Sequence, residues 1–347
     1  MILHLLNNDK KFSLQYISFI NNNFDEKYHK FLVIGGTKSQ IYNLGNVEQI
    51  TSYRKNFIKV LKYINKYDKI IIHSINNTDL SKILFIRPWL LKKCYWVVWG
   101  ADLYYYINRK CNIRTDIHEF FRRHVIRNMG GLITHIKGDY ELAKKWYGFK
   151  GKYHYSFMYP SNLYHEYDLP ETNNTKSDKL YIQVGNSADS SNNHVEVFNK
   201  LKLYKDEKIE IICPLSYGDI DYRNKVISEG RKIFGDKFKP LIEFIPFDDY
   251  LKILAKIDVA IFNHKRQQGM GNITTLLGLG KKVYIRDDIS TWQFCLDHNL
   301  KVYSTNKEFS DLFDDLDSIN RQNNIKNVKM SFSVYKLFKD WDEIFKS

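Results

Sequence analysis

Alternation constrains this chain more than any other feature. Apolar runs of strand length, "ILHLL", "KFLVIGG", "KIIIHSI", "YWVVWG" and "GLITHI", are separated by amphipathic helical patterns. The helical patterns are "SLQYISFINNNF", "YRKNFIKVLKYI", "IHEFFRRHVIRNM" and "DYELAKKWYGF". Strand, helix, strand in this rhythm is the pattern of a parallel sheet with crossover helices. The pattern breaks at the polar stretch "DLPETNNTKSDK", Asp168 to Lys179, whose composition is that of a linker. It then restarts with "LYIQVGN", "IEIICPL", "IEFIPF", "VAIFN" and "KKVYIRD", and helices are expected over 192–204, 220–234, 247–256, 270–280 and 290–298. The amphipathic "YKLFKDWDEIFK" closes the chain. The expected fold is α/β with two Rossmann-like domains facing a cleft: 1–167, a linker at 168–179, and 180–330, with a last helix in 331–347 packing back on the first domain. No sequence repeat links the halves.

The length of 347 residues suits two domains of this kind, and 44% hydrophobic residues can fill two cores. A formal net charge of +14 leaves three anionic partners open: nucleic acid, a membrane surface, or an anionic substrate. An AT-rich coding bias, visible in the abundance of Lys, Asn, Ile and Tyr, accounts for such a charge equally well. Cys94, Cys111, Cys213 and Cys295 form no CxxC pair, which argues against a zinc site or a disulfide framework and for a reducing cytoplasm. The start, "MILHLLNNDKKF", does not read as a signal peptide, and no apolar run is long enough to span a bilayer.

Ligands of open α/β sheets bind outside the carboxyl ends of the strands. Three polar stretches fall there. In "VVWGADLYYY", Gly100 turns the chain after a strand and Asp102 can present a carboxylate, as a base toward a hydroxyl or as a turn residue. "QVGNSADSSNNH", Gln183 to His194, is dense in small donors before a helix and can cradle an anion, or simply cap the helix. "HKRQQGMGNIT", His264 to Thr274, offers Arg266 for paired bonds to phosphate, with Gly269 and Gly271 at a helix start. It is neither a Walker loop nor a GxGxxG fingerprint. Together the three suggest a nucleotide diphosphate.

"WVVWGADLY", "VGNSADSSNNH", "FDDYLKIL" and "RQQGMGNITTLLGLG" resemble, in the same order, the bacterial TDP-N-acetylfucosamine:lipid II N-acetylfucosaminyltransferases, which move 4-acetamido-4,6-dideoxygalactose in enterobacterial common antigen assembly. The resemblance is strongest from Ile70 to Asp288. It implies a GT-B fold, with the nucleotide sugar on the C-terminal domain and the acceptor on the N-terminal one. By resemblance, Gly185, Asn186, Ser187, Asp189, Asn192 and His194 form one donor loop. Arg266, Gln267, Gln268, Gly269, Gly271 and Asn272 form the second. Trp99, Gly100, Asp102 and Tyr104 match the N-domain motif, and His73 falls where the family also has a histidine after a strand.

Glycosyl transfer passes through an oxocarbenium-like state while a nucleoside diphosphate leaves with growing negative charge. Arg266 and helix N-termini can stabilise that charge. Asp102, and after it His73, is the expected base. The strings Asp219-Ile220-Asp221 and Asp315-Leu316-Asp317 read as structural, so no metal or other cofactor is expected beside the TDP- or UDP-sugar. "RPWLLKKCYW" and "FFRRHVIRNM" suit either an ordinary helix face or contact with anionic membrane near a lipid-diphosphate-linked saccharide acceptor. The expected place is the cytoplasmic face of the bacterial inner membrane. A nucleic-acid partner is not expected, since no helix-turn-helix, RRM or zinc signature is present.

Overall fold

A computed structural model describes residues 1–9, 12–36, 44–110, 112–164 and 178–347. Cys111 and residues 168–177 of the expected linker lie outside the described residues. The chain divides into two compact units, Met1–Leu163 with Val334–Ser347, and Tyr164–Ser333. Tyr164 is already part of unit 2: its hydroxyl donates to the Gly278 carbonyl (3.0 Å) and its N–H to the Phe332 carbonyl (3.1 Å).

Unit 1 contains β1 (Ile2–Asn7), α1 (Ser13–Asn23), β2 (His29–Ile34), β3 (Val47–Ile50), α2 (Phe57–Lys66), β4 (Lys69–His73) and α3 (Thr78–Phe85). It continues through β5 (Cys94–Val97), α4 (Ala101–Asn108), α5 (Ile113–Asn128), β6 (Gly131–Ile133), α6 (Lys137–Tyr147) and β7 (Lys152–His154). All strands pair in parallel, in the order β3-β2-β1-β4-β5-β6-β7. β4 is buried at every residue, as a strand covered by helices on both faces must be.

Unit 2 contains β8 (Leu180–Val184), α7 (His194–Leu201), β9 (Ile209–Pro214), α8 (Ile220–Phe234), β10 (Phe238–Leu241) and α9 (Phe247–Lys256). Then come β11 (Val259–Phe262), α10 (Met270–Gly278), β12 (Lys282–Ile285), α11 (Ser290–Asp297), β13 (Tyr303–Ser304) and α12 (Ser318–Ser331). Its sheet runs β10-β9-β8-β11-β12-β13, again parallel. Each sheet thus runs out from its first strand in one direction and then reverses, the Rossmann order, with the switch point between β1 and β4 in unit 1 and between β8 and β11 in unit 2.

The final helix, α13 (Val334–Lys346), belongs to unit 1. Trp341 is fully buried there and donates to the Met158 carbonyl (3.1 Å). Phe345 packs on His29 and Phe24. Lys69 reaches the end of α13 and donates to the carbonyls of Ile344 (2.5 Å) and Ser347 (2.6 Å), a cation placed where the helix dipole is negative.

β3, β7, β13 and α3 are additional to the elements that the sequence pattern marks, and three further elements differ from it. The strand expected at "IEFIPF" is instead Phe238–Leu241, which pairs with β9, leaving Ile242 and Phe244 exposed beyond it. Pro246 removes a donor that a continuing strand needs. "GADLYYY" is the start of helix α4 rather than a loop, so Asp102 stands in its first turn. α12 is unexpected because "SINRQNNIKNVKMS" has almost no apolar stripe; Asn324 and Val328 are its buried contacts.

Candidate functional site

The two switch-point loops of unit 2 are bound to each other. β8 ends at Val184, and Gly185 turns the chain with φ +69°. A Cβ there would stand 2.4 Å from His194 Nε2, so the turn over the start of α7 admits only glycine. Asn192, fully buried, is the hub of the loop. Its Oδ1 accepts from Asn186 N–H (2.9 Å), and its Nδ2 donates to the Asp189 carbonyl (3.0 Å) and to Ser187 Oγ (3.3 Å). From the β11 loop, His264 Nε2 lies 2.9 Å from the same Asn192 oxygen, and His264 Nδ1 lies 3.1 Å from the Gln268 carbonyl.

Gln268 closes the connection with its side chain. Ser191 Oγ lies 2.6 Å from both Gln268 Oε1 and Asp189 Oδ1 and shares its one proton between them, and Gln268 Nε2 donates to Ser187 Oγ (3.2 Å). Gln268, placed by resemblance in the second donor loop, therefore joins that loop to the first. Gln267 has no side-chain partner among the described residues. Gly269, with φ +70°, starts α10; a Cβ would meet His264 Cε1 at 2.9 Å. At Gly271 a Cβ would meet nothing within 4 Å, so α10 opens its first turn to space. Asn272 is held by the Tyr250 hydroxyl (2.7 Å).

Arg266 sits in this frame, mostly buried, with one nitrogen 3.2 Å from Asp189 Oδ2. Part-burial of Asp189 pushes its pKa up, but hydrogen bonds from Ser191 and the Arg266 charge outweigh it and hold the carboxyl below its usual range. Asp189 is thus an anion that orients the guanidinium. Arg266 also donates weakly to the Gln267 carbonyl (3.4 Å), which leaves further N–H groups of its fork for a ligand. Burial pushes His264 down to about 3 and His194 down to about 4; a neutral His264 donates to only one of the two oxygens at its ring nitrogens. His194 Nδ1 meets the Tyr222 hydroxyl (3.2 Å), while its buried Nε2 has no hydrogen-bond partner.

Sequence analysis assigns no individual role to His264, Tyr217, Tyr222 or Tyr250, although His264 and Tyr250 lie in stretches it singles out. All four support the loops: Tyr217 accepts from Asn186 Nδ2 (3.0 Å), and Tyr250 holds Asn272. His264 did carry a signal, as the first titratable residue after an apolar strand. The tyrosines come from α8, α9 and the loop before α8, and only the strand order brings them here.

The expected residues of unit 1 are placed differently. Asp102 is fully buried. Its oxygens accept from Trp96 Nε1 (2.7 Å), Trp99 N–H (2.9 Å), Leu103 N–H (3.0 Å) and Ile75 N–H (3.1 Å). A carboxylate with its lone pairs filled inside the core cannot take a proton from a substrate hydroxyl, so the expected base is corrected to a residue that orders a loop. Fully buried Arg122 completes the lock, donating to the carbonyls of Asp102 (2.5 Å) and Ile75 (3.1 Å). Gly100, with φ +75°, makes the turn between Trp99 and α4. Tyr104 is also corrected: it packs into the core against Trp146 and is not presented to a ligand.

His73 ends β4, at the switch point, but it too is enclosed. Trp99 Nε1 donates to the Tyr159 hydroxyl (2.7 Å), whose oxygen also lies 2.6 Å from His73 Nδ1. His73 Nε2, enclosed by Tyr16, Trp341 and His4, has no hydrogen-bond partner. Burial pushes His73 down to about 3. The expectation of His73 as base is corrected with that of Asp102. Ser74 and Met158, both at φ 72°, bracket the His73–Tyr159 bond; non-glycine residues in this region are strained and are held there by their surroundings.

Asp219 caps α8 by accepting from Tyr222 N–H (2.7 Å), and Asp317 caps α12 by accepting from Asn320 N–H (3.0 Å). Both are ordinary helix caps. Among the described residues, no helix is long and apolar enough to cross a membrane.

Two Rossmann-type units in tandem, with polar switch-point loops, define the GT-B class of glycosyltransferases. A glycosyltransferase from Rickettsia africae ESF-5 shares this fold with a TM-score of 0.68 at 13% identity, over 99% of this chain and 97% of its own. HepE from Anabaena, solved with UDP and glucose, gives 0.68 at 13% over 100% and 99%. WaaG, a glycosyltransferase involved in lipopolysaccharide biosynthesis, gives 0.63 at 13% over 99% and 99%. The whole chain, residues 1–347, matches the family described as 4-alpha-L-fucosyltransferase, glycosyl transferase group 56, and belongs to it. The protein is a glycosyltransferase.

Proposed function

We propose that unit 2 holds a nucleoside-diphosphate sugar and that the transferred group is a deoxyamino sugar, Fuc4NAc from TDP-Fuc4NAc. The acceptor is a polyprenyl-diphosphate-linked saccharide in the assembly of a bacterial surface polysaccharide: enterobacterial common antigen, O-antigen or capsule. The observation that carries this reading is the pair of interlocked loops at the switch point of unit 2. They set Arg266 beside the starts of α7 and α10, where backbone N–H groups favour an anion. The family description, which names fucosyl transfer, supports the sugar class. The neighbouring HepE structure, solved with UDP and glucose, supports a nucleotide donor.

In this reading the diphosphate leaves against Arg266 and the two helix starts, which stabilise its growing charge without reorganising. Gly185 and Gly269 let the backbone approach the phosphates. Asp189 holds the guanidinium in place, and Asn192, His264 and Gln268 keep the loops in register. Transfer proceeds without a metal and with inversion, on the cytoplasmic face of the inner membrane. The test offers purified protein a panel of TDP- and UDP-sugars with a polyprenyl-diphosphate-linked saccharide, with and without chelator. Release of TDP from TDP-Fuc4NAc, with an inverted linkage in the product by NMR, is expected. No nucleoside diphosphate released from any donor would sink the reading, and preference for a UDP-sugar would reassign the donor.

A further inference from the structure

Helix α5 carries apolar side chains on two faces, one in the core and one outside. Its buried residues are Glu119, Arg122, Val125 and Ile126. Arg122 pairs with Glu119 (3.0 Å), so an ion pair faces the core. The opposite side carries Ile113, Ile117 and Phe120, which are 79%, 49% and 62% exposed. Spacings of four and three residues put these on one line of the helix. A crossover helix ordinarily turns its apolar stripe inward. The stripe continues onto the next element: the Phe120 ring meets Phe85 at the end of α3, and the following Ile86 and Trp89 are also exposed, Trp89 at 65%. A contiguous apolar surface of this kind marks an interaction site.

The surrounding charge says what fits. Arg114, Arg123 and Arg127 stand exposed on α5, and the Arg87 guanidinium lies 5.3 Å over the Trp89 ring. Of the two acids on α5, Asp116 is paired with Arg109 (3.5 Å) and Glu119 is buried. An apolar centre edged by cations, with an exposed tryptophan, matches the acyl and headgroup layers of an anionic bilayer. The helix is also joined to the loops after β4 and β5, because Arg122 holds the carbonyls of Ile75 and Asp102.

We propose that the outer face of α5, with Trp89, docks the protein on an anionic lipid surface. The inference rests on the acceptor's being lipid-linked, and it names the partner of that site. Docking in this way sets the Ser74–Ile75 and Trp99–Asp102 loops near the plane in which a lipid-diphosphate headgroup lies.

The test is co-sedimentation with vesicles of phosphatidylglycerol and phosphatidylcholine, against phosphatidylcholine alone. Wild type should sediment with the anionic vesicles, less so as salt is raised. The surface variant Ile117→Asp/Phe120→Asp should lose about tenfold or more of that partitioning. Arg114→Glu/Arg123→Glu should lose it too, with the melting temperature unchanged, which removes misfolding as an explanation. Both variants should keep transfer to a short-chain soluble acceptor and lose transfer to a vesicle-embedded one. Variants that sediment like wild type, or a wild type that ignores anionic vesicles, would overturn the proposal. So would a wild-type dimer that Ile117→Asp dissociates without affecting vesicle binding. If docking behaves as described but no acceptor receives sugar, the surface stands and the proposed reaction fails.

Discussion

In unit 2, the polar residues after β8 and β11 spend their hydrogen bonds on one another at the carboxyl edge of the sheet, around an arginine with donors to spare. In unit 1, the polar residues after β4 and β5 are drawn into the core, where Asp102 has no acceptor capacity left and His73 is boxed in by aromatic rings. The strand order is the same in both. What differs is whether the polar groups satisfy each other at an open edge or satisfy the backbone inside. The first arrangement is preorganised for an anion, and the second fixes the shape of loops.

The comparison breaks most directly at Arg266. Arg266→Ala should lower turnover by about two to three orders of magnitude, with weaker nucleotide binding by calorimetry and little change in unfolding midpoint. Full turnover in this variant would remove unit 2's edge as the leaving-group site. Asp102→Ala should do the reverse. It strands four buried N–H groups and should lower stability by about 3 kcal/mol in urea titration, with turnover per folded molecule nearly kept. A stable variant with abolished turnover would return Asp102 to the role of base.

Acid sharpens the contrast next. Burial holds His29 near about 4 and His73 near about 3, and drives His4 well below its ordinary value, all in unit 1. In unit 2, His194 and His264 are depressed in the same way. The unfolded chain, with ordinary histidine values of 6.5, binds protons that the folded chain refuses. Their contribution to stability is therefore complete above 6.5 and is lost as pH falls from there, to about 4 for His29 and His194 and about 3 for His73 and His264. Melting temperature should drop through that window, and His4→Gln/His29→Gln should flatten the profile of unit 1. A wild-type melting curve flat from 6.5 to 4 would contradict the buried neutral rings. The smallest effect belongs to Asp219→Ala, which removes one cap and should lower stability by about 1 kcal/mol without touching turnover. Loss of turnover there would revive the aspartate pair of α8 as a metal ligand.

The alternation of apolar runs and amphipathic stretches was enough to read a two-domain parallel α/β protein, because buried strands and amphipathic helices each leave a period. It was not enough for α12, whose side chains lack one, or for the edge strand Phe238–Leu241, since "IEFIPF" looks more strand-like than "FKPL". In the candidate donor loops, Asn192, Arg266 and Gly269 stood out by residue type and Gly185 by resemblance. The supports Tyr217, Tyr222 and Tyr250 were not, because they arrive from distant segments. Asp102 misled for a physical reason. An aspartate after a strand looks alike whether its carboxylate faces solvent or folds back on the loop, and only the positions of Trp96 and Ile75 decide.

The return of α13 to unit 1 bears on how the chain is made. Unit 2 is synthesised whole before α13 leaves the ribosome, so the later unit can complete its core first. Unit 1, begun earlier, has to keep the places of Trp341 and Phe345 open, with Tyr16, His29 and Phe24 uncovered. Its nascent form is the one a chaperone would meet. Removing α13 would therefore injure the opposite end of the sequence.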